Sequence, residues 1–268
     1  MIIDFHTHTF PDAIAERSIA YLEQKGHIHA YREGTLASLK HSMRQSGIDI
    51  CQVLPVATKP SQVPTINRLS YELNGRDGVY FAGAIHPDCE DVPGIMDEIA
   101  SHGLKIVKLH PDYQETDFDD PRMINIMARA AERGLYIITH AGLDPAYPEH
   151  IHCTPDMVLQ VLDELSGLID NKLILAHLGG LALTEEVMDK LIGKPVYMDT
   201  AAVLPFYPAK AREIIAAHGA DRILFATDSP WGDQADFVKR IRDYGFSFED
   251  EEKIMWRNAA RILGLNTL

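Results

Sequence analysis

Two histidines with one residue between them, His6 and His8, end the first apolar run of this chain. Alternate side chains of a strand share a face, so both imidazoles project together while Thr7 turns away. The pattern recurs. His86, Lys108 with His110, His140, His177, Asp199 and Asp228 each close a later apolar run whose body carries little charge. Several neutral imidazoles converging with a carboxylate suit a borderline divalent cation such as zinc. A hydrogen-bonded core histidine is the ordinary reading of any one of these residues. For the whole set, that reading needs unrelated polar groups to fall at the same end of seven of the eight runs.

The runs that would position them are "IIDFH", "DICQVLPV", "VYFAGAIH", "KIVKLH", "LYIITH", "KLILAH", "PVYMDT" and "RILFATD". Helical periodicity fills the intervals, as in "DDPRMINIMARAAER", "TPDMVLQVLDEL" and "PAKAREIIAAH". Near-continuous apolar strands alternating with helices indicate a parallel sheet buried on both faces. Glycines such as Gly47, Gly134 and Gly219 close the helices, and Asp120-Pro121 and Thr154-Pro155 open two of them. Pro11 to Gly47 is longer than one unit needs and holds two helices. Eight strand-helix units predict an α/β fold, a (β/α)8 TIM barrel, as one domain over residues 1–268. The rival is an open doubly wound sheet, and no glycine-rich phosphate loop follows the first strand to favour it.

In a barrel the C-terminal strand ends form the face where active sites are built. Strand 8 then neighbours strand 1 and brings Asp228 beside His6 and His8. His140 and His177 reach in from the far wall. Asp4 shares the parity of the two histidines and is expected to orient one imidazole. Lys108 shares parity with Ile106 and His110 and is expected to face the lumen.

Composition bounds the partners. Lys and Arg number 25 against 39 Asp and Glu, a net charge of −14. Such a surface repels phosphate backbones and anionic lipid, so nucleic acid and membrane are not expected as partners. A small-molecule substrate is expected, together with another copy of the chain if it assembles. Cys51, Cys89 and Cys153 are odd in number and form no CxxC pair, as in reduced thiols of a cytoplasmic protein. The N-terminus does not read as a signal peptide.

The motifs "DFHTH", "VKLHPD", "ITHAG", "LAHLGG" and "FATDSPW", in this order along nearly the whole chain, resemble the amidohydrolase superfamily in its amidohydrolase-related branch. That branch includes metal-dependent hydrolases and decarboxylases. The resemblance implies that His6, His8, His140 and Asp228 bind one metal ion, usually zinc. His177 then binds a second ion or acts on substrate. Asp228 would also take the proton of the metal-activated water. In many relatives the strand-4 lysine is carboxylated and bridges two ions; His140 and His177 would then hold the second. The alternative is that Lys108 anchors a substrate carboxylate or pairs with an acid.

Other residues have local readings. His152, in the loop after strand 5, and Trp231, just past Asp228, are candidates to touch substrate. His86 and Asp199 are pocket-lining candidates. His27 and His29 read as surface residues, and Asp112, Tyr113 and Asp117 as loop residues at the mouth. The expected activity is hydrolysis of an amide, ester or lactone of a small molecule. Non-oxidative decarboxylation of an unsaturated or aromatic acid uses the same ligands and is the alternative. A non-catalytic ligand-binding barrel is the third reading.

Overall fold

The computed structural model describes residues 1–265. Eight parallel strands run in chain order around a barrel: β1 (Ile3–Thr7), β2 (Ile50–Val53), β3 (Val79–Phe81, resuming as Gly83–Ala84), β4 (Ile106–Leu109), β5 (Tyr136–Thr139), β6 (Leu173–Leu175), β7 (Tyr197–Asp199) and β8 (Ile223–Leu224). The ring closes between the last strand and the first. Phe5 N–H donates to Phe225 O at 2.9 Å, and Asp228 N–H donates to His6 O at 2.9 Å. Thr7 and Ser229 form a parallel bridge just beyond. The expected barrel is the observed one.

Alternation along the strands separates two apolar layers. Ile3, Phe5, Ile106, Ile138, Ile174 and Leu224 pack together inside the ring. Cys51, Val53, Val107, Leu109, Ile137 and Leu175 belong to the layer between the strands and the surrounding helices. Removing each such side chain from water contributes roughly 1.5–3 kcal/mol, which holds the strand ends rigid enough to carry polar groups.

Helices open and close where the sequence signals them. Two fill the stretch after β1, α1 (Asp12–Gly26) and α2 (Leu36–Ser46). Asp120 caps the helix Pro121–Glu132 by accepting from Arg122 N–H, and Thr154 caps Pro155–Glu164 by accepting from Met157 N–H. One glycine matters to the site. Gly142, two residues after His140, has φ +86°, and a Cβ there would collide with the backbone of Leu181. Leu181 N–H donates to Ala141 O at 3.0 Å, which binds the turn after β5 to the turn after β6. Among the described residues, no helix is long and apolar enough to cross a membrane.

Candidate metal centre

All the polar strand ends gather at the C-terminal mouth of the barrel, and two nitrogen pairs stand out. His6 Nε2 and His8 Nε2 are 3.1 Å apart. Asp228 Oδ1 lies 3.4 Å from the first and 3.3 Å from the second. The far nitrogen of each ring is already committed. His8 Nδ1–H donates to Leu54 O at 2.9 Å, and His6 Nδ1–H donates to Asp199 Oδ2 at 2.8 Å. In neutral rings both Nε2 atoms therefore carry lone pairs, and they face each other and a carboxylate.

Two lone pairs and an anion at van der Waals distance repel unless something positive lies among them. Burial drives the pKa of His6 well below 6.5, so protonation of that ring does not relieve the conflict. A divalent ion about 2.0–2.1 Å from each donor would separate them by roughly 2.9–3.4 Å, which matches the observed spacings. The donor set fits a divalent cation.

The second pair lies one ring away. His177 Nε2 is 2.9 Å from His140 Nδ1, and the His177 ring lies 5.4 Å from that of His6 and 4.6 Å from that of His140. His177 Nδ1–H donates to Ala201 O at 3.0 Å, so its Nε2 is again bare. His140 Nε2 points instead at Asp112 Oδ2, 3.8 Å away. The structure thus brings His6, His8 and Asp228 together and sets His140 beside His177.

Lys108 faces the same space, as its parity with Ile106 requires. It is 1% exposed and its ammonium has no hydrogen-bond partner. Burial, opposed by the charges of Asp199 and Asp228, brings its pKa down to about 8. Asp228 behaves in the opposite way. Burial works against its charge, but the neighbouring imidazoles, His8 first and then His6, hold it down at about 2. It is an ionised carboxylate throughout the neutral range.

The backbone is held in an uncommon conformation at two of these positions. His177 and Asp228 have φ of 59° and 65°. Non-glycine residues there are strained and persist only where surrounding structure fixes them.

The Asp4 expectation needs correction. Its carboxylate accepts from Thr227 Oγ1 (2.6 Å), Gln234 Nε2 (2.7 Å) and Thr227 N–H (3.0 Å), and it reaches no imidazole ring. The cause is an irregularity in β1: the pairing with β2 shifts register between Asp4 and Thr7. Such a bulge breaks strict alternation, so Asp4 and His6 point to different sides. The carboxylate that meets His6 is Asp199, which the sequence placed at the pocket without a partner.

Asp112 lies in the turn after β4, as the sequence expects, but is wholly buried. Its Oδ2 lies 3.9 Å from His110 Nδ1 and 3.8 Å from His140 Nε2, beside the two stacked rings, and burial raises its pKa to about 7. His110 Nε2 in turn lies 3.5 Å from Asp144 Oδ2. Farther out, His152 Nδ1 and His150 Nε2 each lie 2.7 Å from Asp117 Oδ1, so His152 is engaged at the rim. Trp231 is partly buried in the turn after Asp228, where its backbone N–H donates to Asp228 O. His86 Nδ1 accepts from Asp88 N–H, and His27 and His29 are exposed.

A family model described as amidohydrolase matches residues 3–265. The chain belongs to the amidohydrolase family. Its fold is shared with solved structures at low sequence identity. A 2,6-dihydroxybenzoate decarboxylase bound to 2,6-dihydroxybenzoate is 16% identical with a TM-score of 0.72, covering 98% of this chain and 99% of that one. IDCase of Metarhizium anisopliae is 19% identical with a TM-score of 0.72, covering 100% and 98%. A Pseudomonas putida protein assigned as a 2-pyrone-4,6-dicarboxylic acid hydrolase is 18% identical with a TM-score of 0.68, covering 100% and 98%. These amidohydrolase-related neighbours include both decarboxylases and hydrolases. No curated protein matches the sequence.

Proposed function

We propose that this amidohydrolase is a metal-dependent hydrolase acting on the amide, ester or lactone carbonyl of a small molecule. The observation that carries the reading is the facing of His6 Nε2, His8 Nε2 and Asp228 Oδ1 while the Nδ1 of each ring is held by an oxygen elsewhere. A divalent cation held by these residues would supply a nucleophilic hydroxide at neutral pH and polarise the carbonyl. Zinc suits the nitrogen-rich donor set.

The chain's own residues would do the rest. Asp228, ionised at neutral pH, accepts the proton of the attacking water as general base. His177, whose backbone and Nδ1 are both fixed, holds its Nε2 toward the reacting space. Lys108, when neutral, is open to carboxylation and would then join His140 and His177 around a second ion. The 2.9 Å approach of their two nitrogens supports that two-ion arrangement.

Charge favours hydrolysis over decarboxylation. Lys108 is the only lysine or arginine in the buried set among the described residues, while the charges of Asp199, Asp228 and Asp144 act on it. A substrate bringing a further carboxylate would meet those acids with a single organic cation to balance them. The second reading, a decarboxylase (lyase) of an unsaturated or aromatic acid, draws on the decarboxylases among the fold's neighbours and on Lys108 as a carboxylate anchor. Product analysis on a panel of both substrate classes separates the two. An acid released with an amine or alcohol, or a ring-opened lactone, supports hydrolysis; released carbon dioxide rejects it.

A further inference from the structure

Asp199 makes contacts with two parts of the centre at once. Its Oδ2 accepts from His6 Nδ1–H at 2.8 Å. Its Oδ1 accepts from the backbone N–H groups of His177 at 2.9 Å and Ala201 at 3.0 Å. The residue is 0% exposed, so no water replaces any of these partners. Ala201 O in turn accepts from His177 Nδ1–H.

We propose that Asp199 is a positioning residue whose two oxygens divide the work: one sets the tautomer of His6, the other holds the left-handed backbone that carries His177. The inference rests on His6 being a cation ligand, as proposed above. An imidazole can present Nε2 to a cation only when its proton sits on Nδ1, and an acceptor against Nδ1 fixes it there. The same side chain supplies an acceptor to His177 N–H at φ 59°, a conformation that a histidine rarely adopts unaided. One carboxylate therefore ties β1 to the turn after β6. Neither Leu54 O nor Ala201 O, each serving a single ring, does this for its histidine.

Aspartate has two acceptor oxygens at this length, and no close relative of it does. In Asp199→Asn the single oxygen can serve one duty only. If it stays with His177 and Ala201, the amide NH2 faces His6 Nδ1 and moves the ring proton to Nε2. If it turns to His6, two buried backbone N–H groups lose their acceptor.

The test measures zinc affinity by competition with a chromophoric chelator, for the wild type and Asp199→Asn. It also records the nitrogen-15 shifts of the His6 ring in the metal-free wild type, assigned with His6→Gln. The expected results are a loss of affinity on the order of 10–100-fold in Asp199→Asn and an Nδ1–H tautomer at His6 in the wild type. Wild-type affinity in a folded Asp199→Asn, or an Nε2–H tautomer in the wild type, overturns the proposal. Should Asp199→Asn fail to fold, the wild-type tautomer alone decides. A wild type that binds no zinc while keeping the Nδ1–H tautomer would instead sink the metal reading and leave the role of Asp199 standing.

Discussion

His6 Nε2 and His8 Nε2 face each other at 3.1 Å, and the Nδ1 of each ring is already engaged, by Asp199 Oδ2 and by Leu54 O. Deleting one ring should remove the reason for the other's position. His6→Ala is expected to lose the bound cation and at least about a thousandfold in kcat/KM. It leaves the buried Asp199 Oδ2 without its donor, a cost of about 1–3 kcal/mol, so the barrel remains folded with a lower Tm. Elemental analysis and circular dichroism check this together. Retained metal and activity would remove His6 from the centre.

Protons and a cation compete for the same nitrogens, which gives the pH dependence a sign. Burial pushes the pKa values of His6 and His140 well below 6.5. In the folded chain these rings are therefore already deprotonated at pH 6.5. Proton competition at these two rings is expected to weaken metal binding only below pH 6.5. Titrating the apparent Kd against pH checks it. A steep loss beginning at or above pH 6.5, with His6 and His140 taking up the protons, would mean that these two rings are ordinary, solvated histidines.

Lys108 decides the number of ions. With its pKa near 8, roughly a tenth of the amine is neutral at pH 7. The neutral amine can add carbon dioxide, releasing one proton and forming a carbamate. Carbon-13 bicarbonate should then give a carbamate resonance that Lys108→Met lacks, and the metal content should fall from about two ions per chain to about one. No carbamate, with one ion in both proteins, would return Lys108 to the role of carboxylate anchor and strengthen the decarboxylase reading.

Asp4 tests the fold apart from the ligands. Four donors converge on its two oxygens: His6 N–H, Thr227 N–H, Thr227 Oγ1 and Gln234 Nε2. An amide has one oxygen for them and points its NH2 at the remainder. Asp4→Asn is expected to destabilise the protein by about 1–3 kcal/mol, read from the denaturant midpoint, with metal content unchanged. An unchanged midpoint would show that the network binding β1 to Thr227 contributes nothing.

The barrel was legible because its signals are local. Apolar runs of strand length, capping residues before Pro121 and Pro155, and the parity of Ile106, Lys108 and His110 all act within a few residues. The pairing of His6 with His8 follows from the same parity, and Asp228 joins them because a closed barrel sets β8 beside β1. Parity failed at Asp4, where a bulge in β1 changes the side to which the chain points. The partnership of Asp199 with His6 spans 193 residues and depends on where two side chains meet across the lumen. Asp112 was missed for a similar reason. Nothing in "HPDYQ" tells an exposed loop acid from one buried beside two imidazoles, although its spacing of two from His110 was a hint.

Location of the cation is the most direct test. In a crystal equilibrated with zinc, an anomalous difference map at the zinc edge should place a peak among His6 Nε2, His8 Nε2 and Asp228 Oδ1. An empty map there, with the two rings turned apart and bonded to other partners, would contradict the account.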